Sequence, residues 1–228
     1  MDLYITDPEF AERFEYFAFN EVINEENQQL DERTRYMAIL ATLIGCQGVE
    51  AYKEMLPKAL ENGITSITAK EIVYQATDYL GYGRMLPFLN VTNEIFVEQG
   101  VRLPLDGQAM TNLDNRLEKG IEAQAEIFGE HMKEAWRAGH INRWLAANCF
   151  GDYYTRNGLT LAERELITFC FLMAQGGCEP QLIAHSKGNM NMGNDKAFLI
   201  KVVSQCLPYI GYPRSLNAIA CIGKAVEE

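Results

Sequence analysis

Apolar side chains recur along this chain at helical spacing. Leu113, Leu117 and Ile121 stand four apart, and Leu199, Val202 and Cys206 three and four apart, the intervals that place residues on one face of a helix. No stretch alternates as a half-buried strand does, so the pattern predicts an all-α fold. From Leu166 to Met173 the chain is apolar almost all round. That suits a central helix enclosed by neighbours or by a subunit interface better than a surface helix.

The pattern also repeats. Tyr79-Leu-Gly-Tyr-Gly-Arg-Met-Leu86 and Tyr209-Ile-Gly-Tyr-Pro-Arg-Ser-Leu216 agree at five of eight positions, at an offset of 130 residues. The same offset pairs Gly63 with Gly193, and the shared Gly81 and Gly211 are expected to end helices with positive φ. Leu30-Asp-Glu-Arg parallels Leu161-Ala-Glu-Arg, and the aromatic run from Phe14 to Phe19 parallels that from Trp144 to Tyr154. Helical units of this size rarely bury an apolar face alone, so two copies, 1–104 and 105–228, are expected to pack about a pseudo-two-fold axis. Residues 100–112, with one proline, two glycines and small polar residues, read as the linker. Pro208 is expected to kink its helix.

Composition narrows the partners. With 228 residues, 48% apolar and 22% charged, the chain has the makings of a substantial core. A formal charge of -11 repels phosphate backbones and no basic stripe offsets it, so nucleic acid is not an expected partner. No apolar run reaches the ~20 residues of a membrane helix and the N-terminus does not read as a secretion signal, so the expected place is the cytoplasm, away from membranes. Six cysteines without framework spacing then point to reduced thiols. Three histidines and no CxxC give no recognisable zinc cluster, and nothing in the sequence asks for a metal or cofactor.

One segment concentrates chemistry. Cys178 and His185 lie seven residues apart in Gly177-Cys-Glu-Pro-Gln-Leu-Ile-Ala-His185, and Glu165 lies thirteen before the cysteine. Glu179 and Pro180 read as a helix start, which puts Cys178 at the positive end of the dipole and, two turns on, His185 on the same face. A thiol so placed beside an imidazole tends toward thiolate. Each residue also has a plainer reading: a small buried hydrophobe, a satisfied core histidine, a solvated glutamate. Only their conjunction suggests a site. At the repeat offset Arg35 replaces Glu165 and Met55 replaces His185, while Cys46 falls near but out of register with Cys178. One competent site per chain is therefore expected, built mainly from the second half with the first as support.

Several landmarks in order carry a family resemblance: Lys119-Gly-Ile-Glu-Ala-Gln-Ala-Glu-Ile-Phe-Gly129, Tyr154-Thr-Arg-Asn-Gly-Leu159, Glu163-Arg-Glu-Leu, Gly177 through His185, and Tyr209-Ile-Gly-Tyr-Pro213. Over most of residues 113–228 the chain resembles a carboxymuconolactone decarboxylase protomer, and the first half resembles the shorter core of that family. The resemblance implies an AhpD-like helical fold, assembly into trimers or hexamers, and for a fused duplication a trimer of chains.

The resembled superfamily holds cofactor-free decarboxylases and also antioxidant proteins that cycle a CxxC disulfide. This chain has Gln181 where the antioxidant branch has its second cysteine, so a disulfide cycle lacks its resolving thiol. The first expectation is a lyase acting on a small carboxylated or lactone substrate, with His185 delivering a proton, Glu165 orienting it, and Arg156, Arg214 and Tyr154 binding substrate. The second is a thiol antioxidant using Cys178. The third is a non-catalytic oligomeric scaffold.

Overall fold

A computed structural model describes residues 3–227. Every element among the described residues is helical. The first half runs through α1 (Leu3–Thr6), α2 (Pro8–Tyr16), a π-helical turn (Phe17–Glu21), α3 (Val22–Asn24), α4 (Glu32–Gly45), α5 (Val49–Glu61), α6 (Ser66–Leu80) and α7 (Tyr82–Glu98). The second runs through α8 (Arg116–Phe128), a 3-10 segment (Glu130–Ala138), α9 (His140–Trp144), a π-helical segment (Leu145–Tyr154), α10 (Leu161–Gln175), α11 (Glu179–Asn191) and α12 (Lys196–Glu227).

Shifting by 130 lays α4 on α10, α5 on α11, α6 on the first part of α12 and α7 on its second part. The boundary between those parts is Gly211 (φ 75°, ψ 170°), matching Gly81 (φ 84°, ψ 153°). Both glycines therefore break their helices at positive φ, which glycine adopts without a Cβ penalty. The expected kink at Pro208 is instead placed at Gly211: a proline near a helix end forfeits one hydrogen bond, whereas the glycine reverses φ outright.

The halves exchange contacts reciprocally. Gln75 of α6 donates to Arg164 O and Thr168 Oγ1 of α10 (2.9 Å each), while Gln205, its counterpart in α12, accepts from Arg35 Nε of α4 (3.0 Å). Arg33 pairs with Glu163, its own equivalent in the other repeat. Residues related by the offset touch in this way where a pseudo-two-fold axis runs between them. The central layer is α4 against α10, ringed by α6, α11 and α12. Enclosure on all sides explains why Tyr36 to Ile44 and Leu166 to Ala174 are buried without a polar stripe. The expected central helix is thus enclosed within the chain itself. Capping fixes its start: Thr160 and Glu163 form a reciprocal capping box, and Asp31 caps α4.

α8 has no counterpart in the first half. It lies directly on the π-helical segment, and two glycines permit the approach: a Cβ on Gly120 would stand 1.8 Å from Ala146 O, and one on Gly151 would stand 2.0 Å from Arg116 O. Among the described residues no helix is long and apolar enough to cross a membrane.

Candidate functional site

Glu165 enters α10 one turn after its capping box and is fully buried. A buried carboxylate must find donors, and two elements supply them. Its Oε2 lies 2.9 Å from His185 Nδ1 on α11, and its Oε1 accepts from the Tyr154 hydroxyl at 2.9 Å. The tyrosine oxygen is in turn 2.8 Å from Thr168 Oγ1 and 2.7 Å from the Tyr79 hydroxyl. Tyr154 gives its one proton to Glu165, so Thr168 and Tyr79 donate to Tyr154 and the network runs toward the carboxylate. Asn189 Nδ2 ties α10 to α11 by donating to both Glu165 O and His185 O (2.8 Å each). Gly188 leaves room for the pair, since a Cβ there would sit 2.5 Å from Glu165 Oε2.

The imidazole is also fixed from its sides. Tyr79 and Phe128 meet it edge-on, with ring centroids 5.4 and 5.3 Å away. An ionised glutamate can only accept, so Nδ1 carries the ring proton and Nε2 is left as the basic nitrogen. His185 lines a cavity of about 670 Å³ with Cys178, Tyr79, Asp78, Gln124, Phe128 and Phe150. His131, Gln181 and Lys187 stand exposed at its rim.

Cys178 is the N-cap residue of α11, as the sequence predicts, and it opens on the same cavity as His185. Its thiol does not follow the expected drift toward thiolate. Burial pushes it above the ordinary thiol range, Gln175 and Arg214 pull it down less, and Glu179 adds to the rise. The sulfur donates to Leu172 O at 3.4 Å, a bond only the neutral thiol makes. No second cysteine lines this cavity among the described residues.

The substrate-gripping roles expected of three residues fall differently. Arg156 points at Glu71, with Nε 3.0 and 3.1 Å from the two carboxylate oxygens and Nη2 2.9 Å from one of them, and its guanidinium lies 5.4 Å from the Tyr74 ring centre. Glu71 is fully buried and is held as well by Arg164 (3.1 Å), so Arg156 serves an ion pair between the halves and does not line the cavity. Arg214 lies against Gly176 on the surface and also stays outside it. Tyr154 is buried, donates its hydroxyl hydrogen to Glu165 and does not line this cavity.

Sequence reasoning missed Tyr79, Gln124, Phe128 and Asp78. The first half is more than support, because α6 delivers Tyr79 and Asp78 to the cavity. Tyr79 sat in the repeated eight-residue motif, where its likeness to Tyr209 read as architecture. Asp78 is pushed up to about 7, chiefly by burial and then by the Asp152 charge, with Cys149 opposing. Cys149 itself lies 3.7 Å from the Tyr79 hydroxyl, and burial raises its thiol far above the ordinary range. No group of three or more His, Cys, Asp or Glu side chains is placed to hold a metal ion among the described residues.

The model of the carboxymuconolactone decarboxylase family matches residues 8–94 and 140–222, one copy in each half. The chain belongs to the carboxymuconolactone decarboxylase family. A search of curated proteins returns no match. Within the family match, the first copy does not repeat the Glu165–His185 pair. Arg35 stands in the Glu165 place, its guanidinium bound to Gln205 and Ala18 O and lying 5.5 Å from the Phe19 ring centre, and Met55 is buried where His185 would be. Tyr209, the equivalent of Tyr79, has a buried hydroxyl with no hydrogen-bond partner among the described residues. α8 and the 3-10 segment, which include the expected Lys119–Gly129 landmark, lie outside both matched stretches although they wall the cavity.

Proposed function

We propose that this member of the family is an acid/base enzyme that moves a proton at carbon on a small carboxylated or lactone substrate, working through one site per chain. The observation that supports it is the His185 Nδ1 to Glu165 Oε2 contact of 2.9 Å at the wall of an open cavity. In a decarboxylation the bond to the departing carboxylate breaks and its electron pair enters the conjugated system as an enolate. His185, protonated at Nε2, then gives that proton to carbon and recovers it from solvent. Imidazolium formed on the way faces a carboxylate already aligned by Tyr154, so little reorganises during the step. With both arginines outside the cavity, Lys187 at the rim is the group placed to meet a substrate carboxylate.

The thiol reading is less well supported, because Cys178 is held as a neutral donor and has no resolving partner in the cavity. The inert-scaffold reading needs the imidazole and the thiol sealed away, whereas both line an open cavity. The trimer of duplicated chains is kept as part of the proposal. Ile5, Phe10, Trp144 and Leu216 are exposed on a single chain, apolar surface that subunit contacts would cover. The boundary near residue 104 is proposed likewise and falls in the stretch that the family model leaves unmatched.

The test is a turnover screen of small lactones and unsaturated carboxylic acids with wild type, His185→Ala and Cys178→Ala. Proton transfer predicts that activity found in wild type is lost in His185→Ala and kept in Cys178→Ala. The reverse pattern assigns the chemistry to the thiol.

A further inference from the structure

Two polar side chains in the cavity wall carry buried oxygens that find no hydrogen-bond partner among the described residues: Gln124 Oε1 and Asp78 Oδ2. Gln124 is only 3% exposed. A buried acceptor without a partner is unfavourable, and these two stand together in one wall. What it lacks is a donor. Gln124 Oε1 can only accept, and the Asp78 carboxyl, near neutrality in its proton affinity, already lies under the negative influence of Asp152. A second anion placed against this wall meets repulsion, and no arginine lines the cavity to offset it. The rest of the interior is apolar or aromatic, with Phe128, Phe150 and Leu172.

We propose that Gln124 and Asp78 form the recognition wall for an uncharged N–H- or O–H-bearing head group, an amide or a hydroxyl, on a compact apolar body. This rests on the reading of the same cavity as the substrate site, and it deepens that reading: the head group enters first, against Gln124, and any carboxylate of the substrate stays at the rim with Lys187. The recognition residue belongs to α8, outside the residues shared with the family model. Selectivity is therefore shared between α8, outside the matched stretches, and Asp78 of α6, inside the first of them, while the His185–Glu165 pair comes from the second.

The experiment measures binding of benzamide, phenol, benzoate and toluene to the full chain by ligand-observed NMR, without turnover. Wild type is expected to bind benzamide and phenol about tenfold or more tighter than benzoate, the effect of one good hydrogen bond together with an avoided charge. Gln124→Met, close in length and free of the unpaired amide, is expected to drop benzamide about tenfold to the level of toluene, with toluene itself unchanged. Asp78→Asn gives a second route, narrowing the gap between benzamide and benzoate by about tenfold. Equal binding of benzoate and benzamide by wild type overturns the proposal, as does benzamide binding that survives both substitutions, or a cavity that takes none of the four probes. His185→Ala is expected to keep the benzamide preference. Loss of turnover with retained preference thus separates failure of the proton-transfer reading from failure of the recognition wall.

Discussion

The hydroxyl of Tyr79, in the first repeat, lies 2.7 Å from the hydroxyl of Tyr154, in the second, and Tyr154 donates its own hydrogen bond to Glu165. The site is therefore completed across the pseudo-two-fold interface. Removing the middle of this relay tests whether it matters. Tyr154→Phe keeps the ring but takes away a donor to a fully buried carboxylate, a loss of about 1–3 kcal/mol. Denaturant unfolding is expected to show that loss, and turnover to fall about tenfold or more with a shifted pH profile. Unchanged stability and profile would mean the hydroxyl contact is incidental.

Gly188 leaves room for the acid beside α11. Gly188→Ala puts a methyl 2.5 Å from Glu165 Oε2 and about 3 Å from Phe128 and Ile127. The helix itself would favour alanine, so a gain in stability is the outcome if the clash is relieved elsewhere. The expectation is the opposite: about 1–3 kcal/mol lost to overpacking, seen as a lower Tm, with activity reduced through displacement of the acid from His185.

Cys178 should behave as an ordinary thiol held protonated. Its alkylation rate by iodoacetamide is expected to keep rising through pH 9, because burial and the bond to Leu172 O oppose ionisation. A rate already at its plateau by pH 7 would show a thiolate and revive the peroxide chemistry.

Asp78 links stability to pH. Its folded-state carboxyl is pushed up to about 7 from an ordinary value near 3.8, so the folded chain holds a proton that the unfolded chain has released. Below about pH 4 both states are protonated and the group is neutral in effect. Stability falls as pH rises through the window from about 4 to 7, by up to about 4 kcal/mol, and stays reduced above it. Urea unfolding of wild type and Asp78→Asn at pH 5 and pH 8 checks this: the variant should gain on wild type at the higher pH. A difference that does not change with pH contradicts it.

Sequence alone carried the helices and the duplication because both are periodic signals. Apolar spacing fixes helix faces, and the paired glycines at 81 and 211 fix where the matching helices break. The acid, thiol and imidazole were legible for the same reason, since Cys178 and His185 share one helix and Glu165 lies on the helix before it. What was not legible depends on contacts between distant segments. Arg156 is matched in sequence to nothing that reveals Glu71, 85 residues away, as its partner. Tyr79 and Tyr154 are 75 residues apart, and the repeat that revealed Tyr79 also disguised it as architecture. Gln124 stood within the Lys119–Gly129 landmark but nothing there marked it as part of the site, because an unpaired amide is visible only once its surroundings are known. The thiol of Cys178 was misread because helix position was weighed and burial was not visible.

The central claim is that Glu165 holds His185 as the Nδ1-protonated tautomer with Nε2 facing the cavity. Nitrogen NMR of 15N-histidine-labelled protein, with the His185 signal assigned through His185→Ala, reads this directly. The account predicts a neutral ring at pH 8 with the proton on Nδ1, a preference that weakens in Glu165→Gln. A ring protonated on Nε2, or a tautomer indifferent to Glu165, would contradict it.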